Sequence, residues 1–463
     1  LELVTLAIAT SYRELGFVVR TGLPPQDIQN GEVLIEVLEA NLGRVVVDNL
    51  STTRVSINRI LKTIEATQKS GEKLNTFNID KALAILADLP GVQVQGYFVE
   101  GDAPGRTNLV VTVKDTDRVL MDASSDNTGS RSTGANRLIT NLALSSPMGM
   151  GDQFAINTIS SSGTQYVRLS ESIPVGYFGA KLGLSLSHLN YHLITQDYAA
   201  LLAKGTSDAL ALDTSYPLIL SKGSMLNVLM AIEGKHLVNQ SQNTVASDYM
   251  SQLLSMGLAG STSNSPMGLS RSNFRVDLVG GQLDLSKSAN QAADANTTKS
   301  SGRFNKFKYS VSRDQELVRG LSFYASLNGQ WANKNLDSSE KFYLGGINGV
   351  RAYPSNEAAG ALGQLANLEL RSRWGQSNTF STFYDHGRVL INPNNNFSGA
   401  SALNQYALRG YGFSYAFLAS GGASIKATVA RRVGNNPNPT STGNDQDGSV
   451  VKTRIWLNAT VPF

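Results

Sequence analysis

Residues 342–360 read FYLGGINGVRAYPSNEAAG, a stretch that gathers Gly345, Gly346, Gly349 and Gly360 around one cation, Arg351. Arg351 stands among apolar neighbours, after Val350 and two residues before Tyr353. A guanidinium breaks no bonds by itself; it offers a planar fork of donors that pairs with carboxylate or phosphate. The glycines do not make a phosphate-binding loop, because GGINGV lacks the G-x-x-x-x-G-K-[ST] pattern and no helix pattern follows. The four histidines, His188, His192, His236 and His386, contain one i, i+4 pair. In a strand-rich region that spacing creates no shared helix face, and no cysteine joins them, so no metal site is expected. Asp385 and His386 are adjacent, and neighbours on a strand point to opposite faces, which argues against a catalytic dyad. No enzyme and no cofactor is expected.

The elements that must hold such a loop are strands. From Asp117 onward, segments of about ten residues alternate in the manner of membrane-spanning β-strands. In LSFYASLNGQWAN, Leu321, Phe323, Ala325, Leu327 and Trp331 share one face, opposite Ser322, Tyr324, Ser326, Asn328 and Gln330. In LANLELRSRW, Leu368, Leu370 and Trp374 oppose Asn367, Glu369, Arg371 and Arg373, the latter three expected to line a polar lumen. The last segment sends Val451, Ile455, Leu457, Ala459, Val461 and Phe463 outward and Lys452, Arg454, Asn458 and Thr460 inward.

The pattern places strands at 117–126, 135–145, 152–160, 164–173, 177–187, 207–218, 223–233 and 248–259. It continues with 269–282, 304–314, 320–332, 361–374, 377–388, 404–418, 422–432 and 450–463. That is about sixteen, an even number, as a bacterial barrel needs to close without a free edge. Connections after odd strands read as long (188–206, 283–303, 333–360, 433–449), and those after even strands as short, such as PVG at 174–176. This asymmetry favours an antiparallel transmembrane barrel over a soluble sandwich, which would also alternate. A barrel of this size encloses water unless something plugs it, and the loop 333–360 is the longest connection.

Residues 1–115 differ. LELVTLAIATSYRELGFVV reads as a helix ending near Gly16, and GEVLIEVLEANLGRVVV as two strands around a turn. RVSINRILKTIEAT and FNIDKALAILADLPGV read as helices, the second starting at Asn78 and stopped by Pro90–Gly91; VQVQGYFVEG and TNLVVTVKD read as strands. Two small α+β units follow, at 1–46 and 47–115, the first without its beginning.

Composition agrees. The chain has 463 residues, 43 of them glycine, only 16% charged, with a formal net charge of +4 from 40 basic and 36 acidic side chains. Turn-rich β structure fits better than disorder. No basic run interleaves with aromatics, so nucleic acid is not an expected partner. There are no cysteines, which excludes disulfides and thiolate sites and suits the bacterial envelope among other compartments. No apolar run is long enough for a transmembrane helix, but a barrel hides its lipid face in alternate residues. The chain opens inside a domain without a signal peptide, so a truncated start is expected.

From Leu1 to Phe463 the chain resembles the TpsB outer-membrane transporters of two-partner secretion, within the BAM-type barrel superfamily. LPPQD at 23–27 with GEVLIEVLEANLG resembles a first POTRA domain, and LADLPGVQVQGYFVEGDAPGRTNLVVTV a second. SSPMGMGDQF at 145–154 resembles the second barrel turn, LGGINGVRAYPSNEAAG the family's inward-folded sixth loop, and FYDHGRV at 383–389 its strand-thirteen motif. The resemblance implies that Arg351 at the loop tip pairs with Asp385 of the D-x-G motif completed by Gly387, holding the loop in the lumen. Tyr353 and the glycines at 345, 346 and 349 then seat the loop. VRAY replaces the commoner VRGY or VRGF, with Ala352 at the usual glycine. Phe463 resembles the terminal aromatic of a barrel-assembly signal.

The family's function follows as an expectation: a monomer in the outer membrane, POTRA domains in the periplasm, exporting an unfolded TpsA-type exoprotein without ATP. Such exoproteins include haemolysins, filamentous haemagglutinins and haem/haemopexin-binding proteins. Outer-membrane lipid and the barrel-assembly machinery are the other expected partners. An assembly factor that inserts other barrels shares the POTRA domains and loop arginine; a passive porin is the third reading.

Overall fold

A computed structural model describes residues 1–27, 31–49, 54–221, 223–265 and 268–463. The N-terminal region begins with α1 (Glu2–Glu14) and a two-stranded sheet, β1 (Val19–Gly22) with β2 (Glu36–Glu39). A second sheet follows in the order β3 (Asn41–Asn49), β5 (Arg106–Asp115), β4 (Val92–Glu100), backed by α2 (Ile57–Thr67) and α3 (Thr76–Ala87). Its core is one apolar cluster in which Ile60, Ile64, Ile79 and Leu86 of the helices meet Leu109, Val111 and Val113 of β5.

Three expectations are corrected here. The division at 46/47 cuts through β3, whose Val45–Asn49 runs parallel to Leu109–Val113. For the same reason the segment 31–47 is no hairpin: β2 and β3 join different sheets. Helix α3 starts at Thr76, because the Asn75 side chain caps it by accepting from Phe77 N at 3.0 Å, three residues before Asn78.

The rest closes into one antiparallel barrel of sixteen strands. These are β6 (Val119–Asp126), β7 (Arg137–Ser145), β8 (Gln153–Ser160), β9 (Thr164–Val175), β10 (Ala180–His192), β11 (Lys204–Ser221), β12 (Ser224–Ser241) and β13 (Thr244–Ser265). There follow β14 (Gly268–Asp284), β15 (Gly302–Val318), β16 (Leu321–Ala332), β19 (Leu362–Trp374), β20 (Asn378–Leu390), β21 (Gln405–Leu418), β22 (Ser424–Arg432) and β23 (Thr453–Pro462). Two short strands, β17 (Phe342–Tyr343) and β18 (Ala359–Gly360), pair with each other outside the barrel sheet. Closure is made by β23 against β6, from Asn458 opposite Asp126 to Pro462 opposite Asp122. The outer face is an apolar belt: Phe323, Leu327, Trp331, Leu368, Leu370 and Ile455 are all exposed there, as lipid contact requires. No described helix is long and apolar enough to cross a membrane.

Each expected strand overlaps an observed one, with two differences. Strands β11 to β15 run well past the ten-residue estimate, β13 reaching 22 residues. The connection 188–206 shrinks accordingly to 193–203, and the one after β12 is only Gln242–Asn243. Both of those residues have positive φ (50° and 61°), the geometry of a tight hairpin turn. The short turn expected at 174–176 sits at 176–179, because Pro174 and Val175 still pair with β10.

The N-terminal region is fastened to one end of the barrel. Ser146 Oγ donates to Arg54 O at 2.5 Å, and Val55 bridges to Met150. Arg59 Nη2 donates to Gly176 O at 3.0 Å and to Pro174 O at 3.3 Å, its guanidinium 5.7 Å from the Tyr177 ring. Lys181 Nζ lies 2.6 Å from Asp88. The long connections emerge at the other end.

Candidate functional site

Residues 333–361 leave the barrel after β16 and turn back into the lumen before β19. The pair β17–β18 closes the neck of the excursion. Beyond it, Val350 N donates to Leu344 O at 2.7 Å, folding the tip so tightly that a Cβ on Gly349 would lie 1.9 Å from that oxygen. Gly345 bridges to Val350, and Gly346 has φ +103°. Leu344, Val350, Ala352 and Tyr353 pack against Leu365, Phe383, Val389, Leu408 and Ala430 of the wall. Gly387 leaves the space filled by Leu344. Gly410 leaves the space for Ala352, since a Cβ there would stand 2.7 Å from the alanine's own; the wall thus accommodates VRAY.

Arg351 sits at the centre, 5% exposed, facing an Asp385 that is fully buried. Its Nη2 donates to Asp385 Oδ1 at 2.7 Å and its Nε to Oδ2 at 3.0 Å, while its backbone N also reaches Oδ2 at 3.0 Å. The guanidinium lies 3.5 Å from the Phe383 ring centre. The remaining fork is used too: Nη1 donates to Glu369 Oε1 at 2.7 Å. Glu369 is therefore more than lumen lining, for its second oxygen accepts from Arg371 Nε at 2.7 Å. Arg371 in turn reaches Asp314 at 2.8 Å and stacks over Tyr324. Arg373 lies apart from this network; its backbone N donates to Gly320 O near the barrel end. Phe463, exposed at the end of β23, donates its backbone N to Met121 O at 2.8 Å.

Three participants escaped the sequence reading. Trp456 Nε1 donates to Arg351 O at 2.7 Å. Its signal was available, since a large aromatic stands on the inward face between Arg454 and Asn458. Asn367 Nδ2 donates both to Asp385 Oδ1 at 2.8 Å and to Gly349 O at 3.1 Å, tying wall, carboxylate and loop together. Glu357, fully buried, accepts from Asn436 Nδ2 at 2.9 Å and Gln446 N at 2.8 Å, so the connection 433–452 covers the loop. Burial pushes the Glu357 carboxyl up, with Asp445 and Asp447 adding to the rise. Nothing on polar inward positions such as 357 or 367 distinguishes them beforehand.

Across the lumen from the clamp, Arg168, Asp213, Glu233, Lys235, Arg275 and Asp277 line a polar cavity of both charge signs. The tip packs on one side of the barrel, while the loop root, through Ser339, Glu340 and Lys341, borders the cavity on the other.

The sequence pattern of the haemolysin secretion/activation protein ShlB/FhaC/HecB family matches residues 105–414. The heme/hemopexin transporter protein HuxB of Haemophilus influenzae is 26% identical over 98% of this chain and 80% of its own length. The outer membrane transporter CdiB of Dickeya dadantii is 25% identical over 85% of this chain and 71% of its own. Among solved structures, CdiB from Escherichia coli superposes with TM-score 0.79 at 18% identity, covering the whole chain and 84% of CdiB. BamA from Haemophilus ducreyi lacking POTRA domains 1–3 gives 0.60 at 12% identity, over the whole chain and 93% of that shortened BamA chain. The chain belongs to the ShlB/FhaC/HecB family of haemolysin secretion/activation proteins, and is an outer-membrane β-barrel transporter of two-partner secretion.

Proposed function

We propose that residues 333–361 are a removable plug, seated by the Arg351–Asp385 contact and displaced when an exoprotein passes. The observation that carries this reading is the threefold engagement of one buried carboxylate by Arg351. A buried ion pair is a poor source of net stability but a good device for fixing one arrangement. Tyr353 and the glycines at 345, 346, 349 and 387 serve the same seat.

The α+β units act as POTRA domains in the periplasm and capture the exoprotein while it is unfolded. Strand β4 is a sheet edge with Tyr97, Phe98 and Val99 exposed along it, which suits addition of an extended segment by backbone pairing. Without ATP, folding of the exported β-helix outside supplies the direction. The cargo is of the haem/haemopexin-binding type, because the similarity to HuxB spans more of the chain than that to CdiB. The apolar belt faces outer-membrane lipid, the transporter works as a monomer, and Phe463 presents the chain to the barrel-assembly machinery.

Co-expression with a haem/haemopexin-binding exoprotein and, separately, with a CdiA-type exoprotein tests the cargo. Release of the first alone is expected. Release of the second alone would reassign it. A barrel-inserting role predicts instead that loss of the protein lowers the amount of other outer-membrane barrels.

A further inference from the structure

The root of the inserted loop carries a second buried ionic contact, on a different arc of the wall from the Arg351 clamp. Glu340, in the short helical turn Ser338–Glu340, is 4% exposed. Its Oε2 lies 2.5 Å from Lys306 Nζ of β15, and Lys306 is itself 6% exposed. Its Oε1 accepts from Ser251 Oγ of β13 at 3.3 Å and lies 3.5 Å from Lys235 Nζ of β12. Its backbone carbonyl accepts from Gln330 Nε2 of β16 at 3.0 Å. Beside it, Tyr249 donates to Asp337 at 3.0 Å, and Leu336 packs among Leu283, Phe304 and Ala361.

The tip uses β19, β20 and β23 through Asn367, Asp385 and Trp456, so the two contacts share no residue. Between them lie Lys341 to Tyr343, which form the short β17–β18 pair; Tyr343 Oη also donates to Ser338 O at 2.9 Å, and Phe342 packs beside the tip cluster and over Gly363 of β19. Burying a carboxylate and an ammonium costs desolvation that their attraction barely offsets, so their retention speaks for position rather than stability. We propose that Glu340 is a positioning residue that pins the loop root to β12, β13, β15 and β16 while the tip is released. The loop then opens as a flap about residues 341–343 and is never expelled whole. This inference rests on reading the loop as a removable plug.

The absence of cysteine allows two clean probes in the full chain. Leu336→Cys reports the root and Leu344→Cys the tip, since these side chains are 3% and 0% exposed. Rates of maleimide labelling are measured on purified protein in liposomes. Glu340→Gln is expected to speed labelling of the Leu336→Cys thiol about tenfold or more and leave the Leu344→Cys thiol protected. Arg351→Ala should do the reverse. Lys306→Glu combined with Glu340→Lys restores the ion pair and should restore root protection, a rescue that mere loss of packing would not show. Should Glu340→Gln fail to assemble, Lys306→Met removes the wall partner with the loop sequence intact and is read in the same way. Unchanged labelling at Leu336→Cys, or simultaneous exposure of both probes by either substitution, overturns the two-clamp flap. Should Arg351→Ala leave the tip protected while Glu340→Gln frees the root, the plug reading of the tip fails and the root contact stands.

Discussion

At the residue scale, the site is an arginine whose three guanidinium nitrogens each donate to a carboxylate inside the barrel. Removing Arg351 strands the buried Asp385 carboxylate, a change that typically costs about 3–5 kcal/mol, and removing Asp385 leaves Arg351 with Glu369 as its remaining carboxylate. Arg351→Ala and Asp385→Ala should each depress release of the exoprotein at equal transporter levels. The double mutant should be little worse than the worse single one, because contacting residues are not additive. Fully additive losses would break the pairing. A second prediction comes from the alanine of VRAY. Gly410→Ala should unseat the loop, since the added Cβ would lie 2.7 Å from that of Ala352. Ala352→Gly in the same chain should relieve it, because the next atoms stand at 3.4 and 3.5 Å. A Gly410→Ala defect that Ala352→Gly leaves untouched would show that this close approach does not seat the tip.

At the scale of elements, the alternation of apolar and polar residues located the barrel strands, because lipid on one side and lumen on the other impose a period of two. The long upper ends of β11 to β15 were invisible for the matching reason: past the lipid the outer face is polar as well, as His188, Asp208, His236 and Asp248 show. Register with a distant partner was also illegible. Strand β3 reads like half of a hairpin, yet its parallel partner β5 lies some sixty residues on, and nothing in Val45–Val47 names it. Of the site, Arg351 stood out by its isolation and Asp385 by a family motif, whereas Trp456 needed only attention to its face. The junction of the N-terminal region with the barrel gives a third prediction. Arg59→Ala removes the bonds to Pro174 O and Gly176 O together with the stack on Tyr177. Amide exchange should quicken across 57–67 and the 176–179 turn while the barrel strands stay protected. Unchanged exchange there would mean that other contacts fix the junction. Removing residues 1–115 altogether should leave a barrel that inserts and exports nothing, since recognition is assigned to the units removed.

For the whole molecule, the proposed plug implies that one barrel is kept partly closed by its own connection, and that export proceeds through the space this connection vacates. The most direct measurement is the conductance of the purified chain in planar bilayers, with residues 338–358 replaced by a short Gly-Ser linker and compared with the intact protein. A small, flickering channel is expected for the intact chain and a several-fold larger, steady one for the variant, whose lumen then has only side chains to narrow it. Equal conductance from both would place the loop outside the ion path and contradict the plug.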